Sequence, residues 1–293
     1  MNIIKANNLA CPIDGEPLAL NQLEFKNRQL VCSNGHSFDI SRQGYVNLLP
    51  VQHKRSKHPG DSKEMVSART RFLNTGLYTP IADKLAETAL AQIVDDSNTC
   101  IMDAGCGEGY YLDYVLHYLN DKNISGDFSF IGQDISKEAI VKSAKRNKKI
   151  SWVVGTNRQP PIMPGTVNII LCVFGFPSFK GFNKIMPVGG KVVLVEPGPD
   201  HLKELREVSY AEVKKSEPQN LSDAFESGFS LVDDQQLNFK AKAITNKQIY
   251  DLLMMTPHFF RASKEGKNAA SQLNDLTLTV DIFYRILEKN NVA

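Results

Sequence analysis

An α/β fold built on a parallel sheet is predicted for this 293-residue chain by three observations. From residue 99 short apolar runs alternate with helical stretches, a glycine triplet follows the first of those runs, and two long strand-like runs close the chain. Such alternation places helices on both faces of a parallel sheet. At roughly 150 residues per domain the length suggests two domains. A composition of 42% hydrophobic and 23% charged residues is that of a globular protein able to bury a core. With 34 basic against 32 acidic side chains the net charge is near zero. Histone-like electrostatics are therefore excluded, and a nucleic-acid partner has to be gripped by a local basic patch.

Residues 1–50 read as a small strand-rich module. LEFKNRQLVC has the pattern of a hairpin turning at Lys26, Asn27 and Arg28, and Gly44 to Leu49 that of a further short strand. So small a unit holds too few large apolar residues to fold alone and needs a metal, disulfides or docking. Residues 51–63 have linker composition. Ser62 is placed to cap a helix over Lys63–Asn74 that stops at Gly76, and Thr79 to cap a second with Pro80 in its first turn. TCIMDA, YYLDYVLHYL, FSFIGQD, a helix capped by Ser136, ISWVVG, VNIILCV and KVVLVEP then alternate. FSLVDDQQLNFKA and LNDLTLTVDIFYRIL flank the helix NKQIYDLLMM and predict an antiparallel pair at one sheet edge. Residues 64–293 are expected to form one α/β domain.

The first twenty residues lack the apolar core of a signal peptide, and the longest apolar stretch, VNIILCVFGF, is too short to cross a bilayer. The five cysteines include Cys100 and Cys172 inside predicted strands, a poor disulfide framework. A cytoplasmic protein with no membrane partner is expected.

Asp103-Ala-Gly105-Cys-Gly107-Glu108-Gly109 sits where a strand hands over to a helix, the crevice in which open α/β sheets bind ligands. The spacing G-x-G-x-G is not the dinucleotide pattern, in which a pyrophosphate rests on the helix N-terminus. Glu108 would set a carboxylate beside such a phosphate, whereas Asp103 and Glu108 suit the ammonium and sulfonium of S-adenosylmethionine. Asp134, ending the next strand, is placed for ribose hydroxyls. A tight turn without a ligand, and an NAD site, are the competing readings.

LLPVQHKRSKHPGDSKEM, IMDAGCGEGYY, EPGPDHLKEL and MMTPHFFRA together resemble the bacterial large-subunit (23S) ribosomal RNA guanine-N1 methyltransferase family, from Cys11 to beyond Arg261. The resemblance implies a class I, Rossmann-like methyltransferase with a seven-stranded sheet and a small N-terminal zinc-ribbon-like module. It implies S-adenosylmethionine held by Gly107 and Glu108, with Tyr78 and His201, and pairing into a homodimer. Taken without it, Tyr78 is a half-buried aromatic at a helix start and His201 a histidine at a helix N-terminus.

Cys11-x2-Asp14 and Cys32-x3-His36 have the spacing of two metal knuckles joined by a hairpin. The family resembled has Cys where Asp14 stands. Three readings follow: a Cys2HisAsp zinc site, a three-ligand site completed by another group, and a metal-free relic held by docking. Zinc is the one favoured, although structural sites prefer sulfur and nitrogen.

Residues 52–71, with Lys54, Arg55, Lys57, Lys63, Arg69 and Arg71 against Asp61 and Glu64, carry a net +4 and form the candidate phosphate-backbone patch. Lys137 to Lys149 is also basic, but reads as a helix C-terminus on a solvated face. Phe174-Gly-Phe176-Pro177 follows the fourth strand and is placed to stack on a target base, or to cover the core. It is not the D/N-P-P-Y of exocyclic-amine methyltransferases, and differs from the aromatic-Ala-Pro of the family resembled. Glu196 and Asp200 are candidate bases by position alone. The expected activity is methylation of guanine N1 in a hairpin loop of 23S rRNA. The alternatives are a small-molecule methyltransferase and a non-catalytic rRNA-binding assembly factor that retains the fold.

Overall fold

The computed structural model describes residues 8–22, 28–50, 52, 59–93, 98–209, 218–256, 263–273 and 275–291. Its large sheet has eight strands. β5 (Thr99–Ala104), β6 (Phe128–Asp134), β7 (Ser151–Val154), β8 (Ile169–Val173) and β9 (Lys191–Pro197) are the expected parallel strands, and β10 (Phe229–Ile244) and β11 (Leu276–Lys289) the expected antiparallel pair. The order is β10-β11-β9-β8-β5-β6-β7 followed by β4 (Tyr45–Asn47). β5 pairs with β6 on one side and β8 on the other, so chain order reverses there and a crevice opens at the strands' carboxyl ends.

β4 is the departure from a seven-stranded sheet. Expected within the amino-terminal module, it instead pairs in parallel with β7, Tyr45 opposite Trp152 and Asn47 opposite Val154. An edge strand with unpaired backbone groups is a liability, and β4 covers that of β7. The rest of the module is a three-stranded sheet of β1 (Ala19–Gln22), β2 (Arg28–Val31) and β3 (Ser37–Asp39). The hairpin is present, but its first strand lies before Leu23 and Arg28 belongs to β2, not to the turn. Lys26 and Asn27 lie outside the described residues.

Period-two alternation sorts the strand residues onto two faces. Ile101, Leu171 and Val193 join a buried cluster with α1 (Lys63–Leu73), α2 (Thr79–Leu90) and α3 (Tyr110–Asp121). Cys100, Met102 and Ile170 join another with α5 (Phe179–Ile185). Leu9, Leu18, Leu30, Val46 and Leu48 belong to this second cluster, so the module shares the core of the sheet. Ala10 N–H donates to the Pro161 carbonyl at 2.9 Å and Met163 N–H to that of Asn8 at 2.9 Å. All five cysteines are free.

Ser62 caps α1 and Ser136 caps α4 (Lys137–Arg146) through side-chain bonds to Met65 and Ala139 N–H. Thr79 is already helical, however. The cap of α2 is Tyr78, which supplies no side-chain bond, and Pro80 in the first turn has no N–H to be capped. The remaining helices are α6 (Lys203–Ser209), α7 (Ser222–Glu226), α8 (Asn246–Met254) and α9 (Lys264–Ser271). No helix among the described residues is long and apolar enough to cross a membrane.

Trp152 is fully buried and its ring lies against Gly132 of the neighbouring strand, where a Cβ would overlap it. Gly132→Ala is therefore expected to cost about 1–3 kcal/mol through overpacking, read as a lowered denaturant midpoint at constant slope; an unchanged midpoint would show that Trp152 can move aside.

Candidate functional site

The crevice at the β5 and β8 carboxyl ends is a cavity of about 1050 Å³. Single-ligand pockets are typically about 300–1,000 Å³, so there is space for a nucleoside and a second heterocycle together. Asp103, Gly105, Gly107, Glu108, Asp134, Tyr78 and His201 all line it, as do Arg69, Phe174 and Phe176. The fold thus collects into one wall residues spread over more than a hundred positions.

The loop after β5 is held by its neighbours. Gly105 and Cys106 N–H both donate to the Gln133 carbonyl, at 2.8 and 3.0 Å. Gly107 N–H donates to Asp134 Oδ2 at 2.9 Å, and Ser143 Oγ donates to the Gly107 carbonyl at 2.9 Å. Gly107 has φ +55° and a Cβ there would press on the Arg69 guanidinium at 3.3 Å. Gly109 does not line the cavity. It starts α3 with φ +85°, and a Cβ on it would lie 2.6 Å from the Trp152 ring, so this third glycine serves packing beneath the loop.

Asp103 is 1% exposed and its Oδ1 has no hydrogen-bond partner. Burial, and then the nearby Asp134 charge, push its carboxyl up to about 8. Such a group is relieved by a ligand bringing positive charge. Asp134 holds the loop as well as facing the cavity: Oδ2 accepts from Gly107 and Oδ1 from Ser136 N–H at 2.7 Å, which leaves further lone pairs for hydroxyl donors. Glu108, also 1% exposed, is paired by Arg146, whose Nε lies 3.0 Å from Oε2, while Oε1 has no partner. Its charge is therefore balanced internally. Arg146 belongs to the run expected to form a solvated helix end, and its partner lies on another element.

Tyr78 and His201 meet although 123 residues apart. The Asp281 N–H donates to His201 Nδ1 at 3.4 Å, which leaves the proton on Nε2, 3.5 Å from the Tyr78 hydroxyl. Phe174 stacks on His201 with ring centroids 6.1 Å apart and an interplanar angle of 18°. Phe174 is a non-glycine residue at φ +53°, a strained conformation of the kind that clusters at ligand sites. Phe176 is 91% exposed at the rim. Asp281 was not singled out in the sequence. Its carboxylate accepts from Asp200 N–H at 3.1 Å and would overlap a Cβ at Gly198, so it shapes the loop carrying His201; a lone acid in the apolar run LTLTVDIFYRIL is the signal that marks it. Of the two candidate bases, Glu196 is 8% exposed and lines the cavity, while Asp200 is exposed and does not. Burial raises the Glu196 carboxyl, although Arg285, 3.4 Å away, opposes that.

Lys54, Arg55 and Lys57 lie outside the described residues. The two arginines of that basic stretch in α1 have internal partners. Arg69 pairs with Asp61 and donates to the Met255 carbonyl at 3.1 Å, beside the glycine loop. Arg71 forms a two-pronged pair with Asp251 of α8.

In the amino-terminal module the Cys11, Asp14, Cys32 and His36 donor atoms all lie within 4.8 Å of one another. His36 Nδ1 is 3.4 Å from Cys32 Sγ, 3.6 Å from Cys11 Sγ and 2.9 Å from Asp14 Oδ2. Hydrogen bonds from Asn34 and Cys11 hold the Asp14 carboxyl well below its usual range, so it is ready as an anionic donor. Two thiols, an imidazole and a carboxylate converging on one point fit zinc. These four residues would hold it, and it would cross-link β1–β2–β3 at their open end. About one equivalent of zinc is expected in protein purified without chelator, and Asp14→Cys is expected to slow its removal by a chelator, since thiolate is the stronger structural ligand; elemental analysis finding no zinc in either protein would refute both.

Residues 9–57 match the zinc-ribbon family model described as RlmA, N-terminal. A protein of Micromonospora griseorubida with the provisional designation 23S rRNA (guanine-N(1)-)-methyltransferase is 30% identical over 266 residues, 85% of this chain and 86% of that one. YxjB of Bacillus subtilis (strain 168), with the same provisional designation, is 27% identical over 260 residues, 87% of this chain and 89% of its own. The 23S rRNA (guanine(748)-N(1))-methyltransferase of Streptomyces fradiae is 33% identical over 198 residues, 67% of this chain and 66% of that one. With relatives matching along most of its length, and a zinc-ribbon module at its amino end, the chain belongs to the 23S rRNA (guanine-N1)-methyltransferase family.

Proposed function

We propose that the protein transfers a methyl group from S-adenosylmethionine to N1 of a guanine in a hairpin loop of 23S rRNA, in the cytoplasm. The observation that carries this reading is the buried Asp103 carboxyl, its Oδ1 without a partner, beneath the glycine loop in a chain of this family. Bound there, the cofactor supplies a methyl already activated on a sulfonium. Asp103 answers its ammonium, Asp134 its ribose, and Gly107 gives the backbone room to approach. Tyr78 and His201 close the wall between cofactor and target.

Guanine N1 lies on the pairing edge, so a paired guanine has to leave its stack, at a cost of a few kcal/mol that a loop nucleotide largely avoids. Phe176 at the rim and Phe174 within offer aromatic faces for the extruded base. Neutral guanine keeps a proton on N1, and Glu196 is the base that takes it: of the two candidates it alone lines the cavity, and burial moves its carboxyl toward neutrality, as a general base requires. Lys54, Arg55 and Lys57 are assigned to the RNA backbone.

Asp103 is protonated below about pH 8 in the free protein and has to lose that proton to meet an ammonium. Cofactor affinity is therefore expected to rise as pH increases from about 5.5 to about 7.5, approaching tenfold per unit at the acid end, and Asp103→Asn to bind weakly with a flat profile. Calorimetry giving a flat profile for the unaltered protein would remove Asp103 from the ammonium site. For the reaction, primer extension on rRNA from cells lacking the gene should show a reverse-transcriptase stop, one nucleotide before the target guanine, restored by the wild-type chain and not by Glu196→Gln. An identical stop pattern with and without the gene would refute the substrate.

A further inference from the structure

The cavity has a second charged pole that the cofactor leaves unused. Arg206 of α6 is 7% exposed and lines the cavity. One of its terminal N–H groups donates to the Pro199 carbonyl at 2.5 Å, and its Nε has no partner. Among the described residues no acidic side chain pairs with it. A buried cation without a counter-ion is costly, and arginine cannot shed its proton to escape that cost. A ligand acceptor at the cavity-facing side of the guanidinium would offset that charge.

Position decides which ligand. Neighbouring strands lie about 4.8 Å apart, and β9, which leads into α6, stands three strands from β6, which ends at Asp134. The nucleoside end of the cofactor over β6 and its ammonium at Asp103 of β5 leave the β8–β9 end, with Phe174 and Glu196, to the target. A phosphodiester stays in water, whereas an extruded base is what enters a closed pocket. On guanine, O6 and N7 are the acceptors that an arginine fork fits. O6 is conjugated with N1, so negative charge left when the N1 proton departs is shared between them. A fixed guanidinium on O6 meets more charge in the transition state than in neutral guanine, which is the condition for catalysis rather than mere binding.

Resting on the function proposed above, we infer that Arg206 is a catalytic residue, holding O6 of the target guanine and stabilising the charge that spreads onto it as N1 loses its proton. The N1 proton passes to the Glu196 carboxylate, the N1 pair bonds to the methyl carbon, and the carbon–sulfur pair returns to sulfur as a neutral thioether.

The test uses the full chain, 23S rRNA and the variants Arg206→Met and Arg206→Lys. S-adenosylhomocysteine affinity, measured by calorimetry, is expected to stay within about threefold of wild type in both, which also reports an intact fold. For Arg206→Met, kcat for methylation is expected to fall about 10²- to 10³-fold, as for loss of one oxyanion donor, with a smaller change in KM because most RNA affinity is backbone contact. Arg206→Lys, which keeps the charge but not the fork, should recover part of the loss. Unchanged kcat in Arg206→Met, or a loss of S-adenosylhomocysteine affinity that assigns the guanidinium to the cofactor, overturns the inference. Failure of the wild-type chain to methylate guanine N1 refutes the proposed function instead, a separate outcome.

Discussion

The site depends on how the loop after β5 is held. Four backbone groups of Gly105, Cys106 and Gly107 bond to Gln133, Asp134 and Ser143, so β6 and α4 fix the loop's course. Asp103, 1% exposed, lies beneath the loop so held. Trp152 supports it from below, between Gly109 and Gly132, where either glycine's Cβ would displace the ring. The three glycines therefore differ: a Cβ at Gly105 would meet only ordinary contact, one at Gly107 would press on Arg69, and one at Gly109 would overlap a buried indole.

The parts of this arrangement legible in the sequence are those whose cause is local. Strand–helix alternation, the Ser62 and Ser136 caps and the placing of Asp103 and Asp134 at strand ends each depend on a few adjacent residues, and the structure has them where the sequence puts them. What escaped has its cause far along the chain. β4 is three residues long, and its partner β7 begins more than a hundred residues later, so nothing in YVN says which sheet it joins. Arg69 and Arg71 look like part of a cationic patch until Asp61, Met255 and Asp251 are brought against them. Arg146 reads as one cation of a solvated helix end, and nothing in the sequence singles out Arg206. The first neutralises Glu108, whereas the second lines the cavity with no acidic partner among the described residues, and only packing tells them apart.

The cationic stretch before the catalytic sheet divides accordingly. Arg69 and Arg71 tie α1 to the cavity edge and to α8, positions in which a phosphate would have to displace a carboxylate already in place. Asp61, which pairs with Arg69, also accepts from Ser136 Oγ through its carbonyl at 2.8 Å, and Gly60 packs so closely on Ser136 that a side chain there would collide with it. The end of the linker is thus fastened beside the Asp134 turn. On the other side of the chain, Lys148 donates to the Gln43 carbonyl at 2.6 Å and joins α4 to the amino-terminal module.

The charges in the cavity also argue against a single ligand filling it. Asp103 of β5 asks for a cation, while Arg206 after β9 asks for an acceptor, and two strand spacings separate β5 from β9. A dinucleotide would set phosphates against Asp103 and Glu108 and gain nothing from Arg206 at the far end. In the proposed reaction a sulfonium nucleoside together with a purine would answer both poles, one by its ammonium and the other by the oxygen next to its reacting nitrogen. The aromatic wall of Tyr78, His201 and Phe174 stands among the lining residues, where it can exclude water. Methyl transfer needs little more than this from a protein: two partners held in line, water kept out, and somewhere for one proton and one developing charge to go.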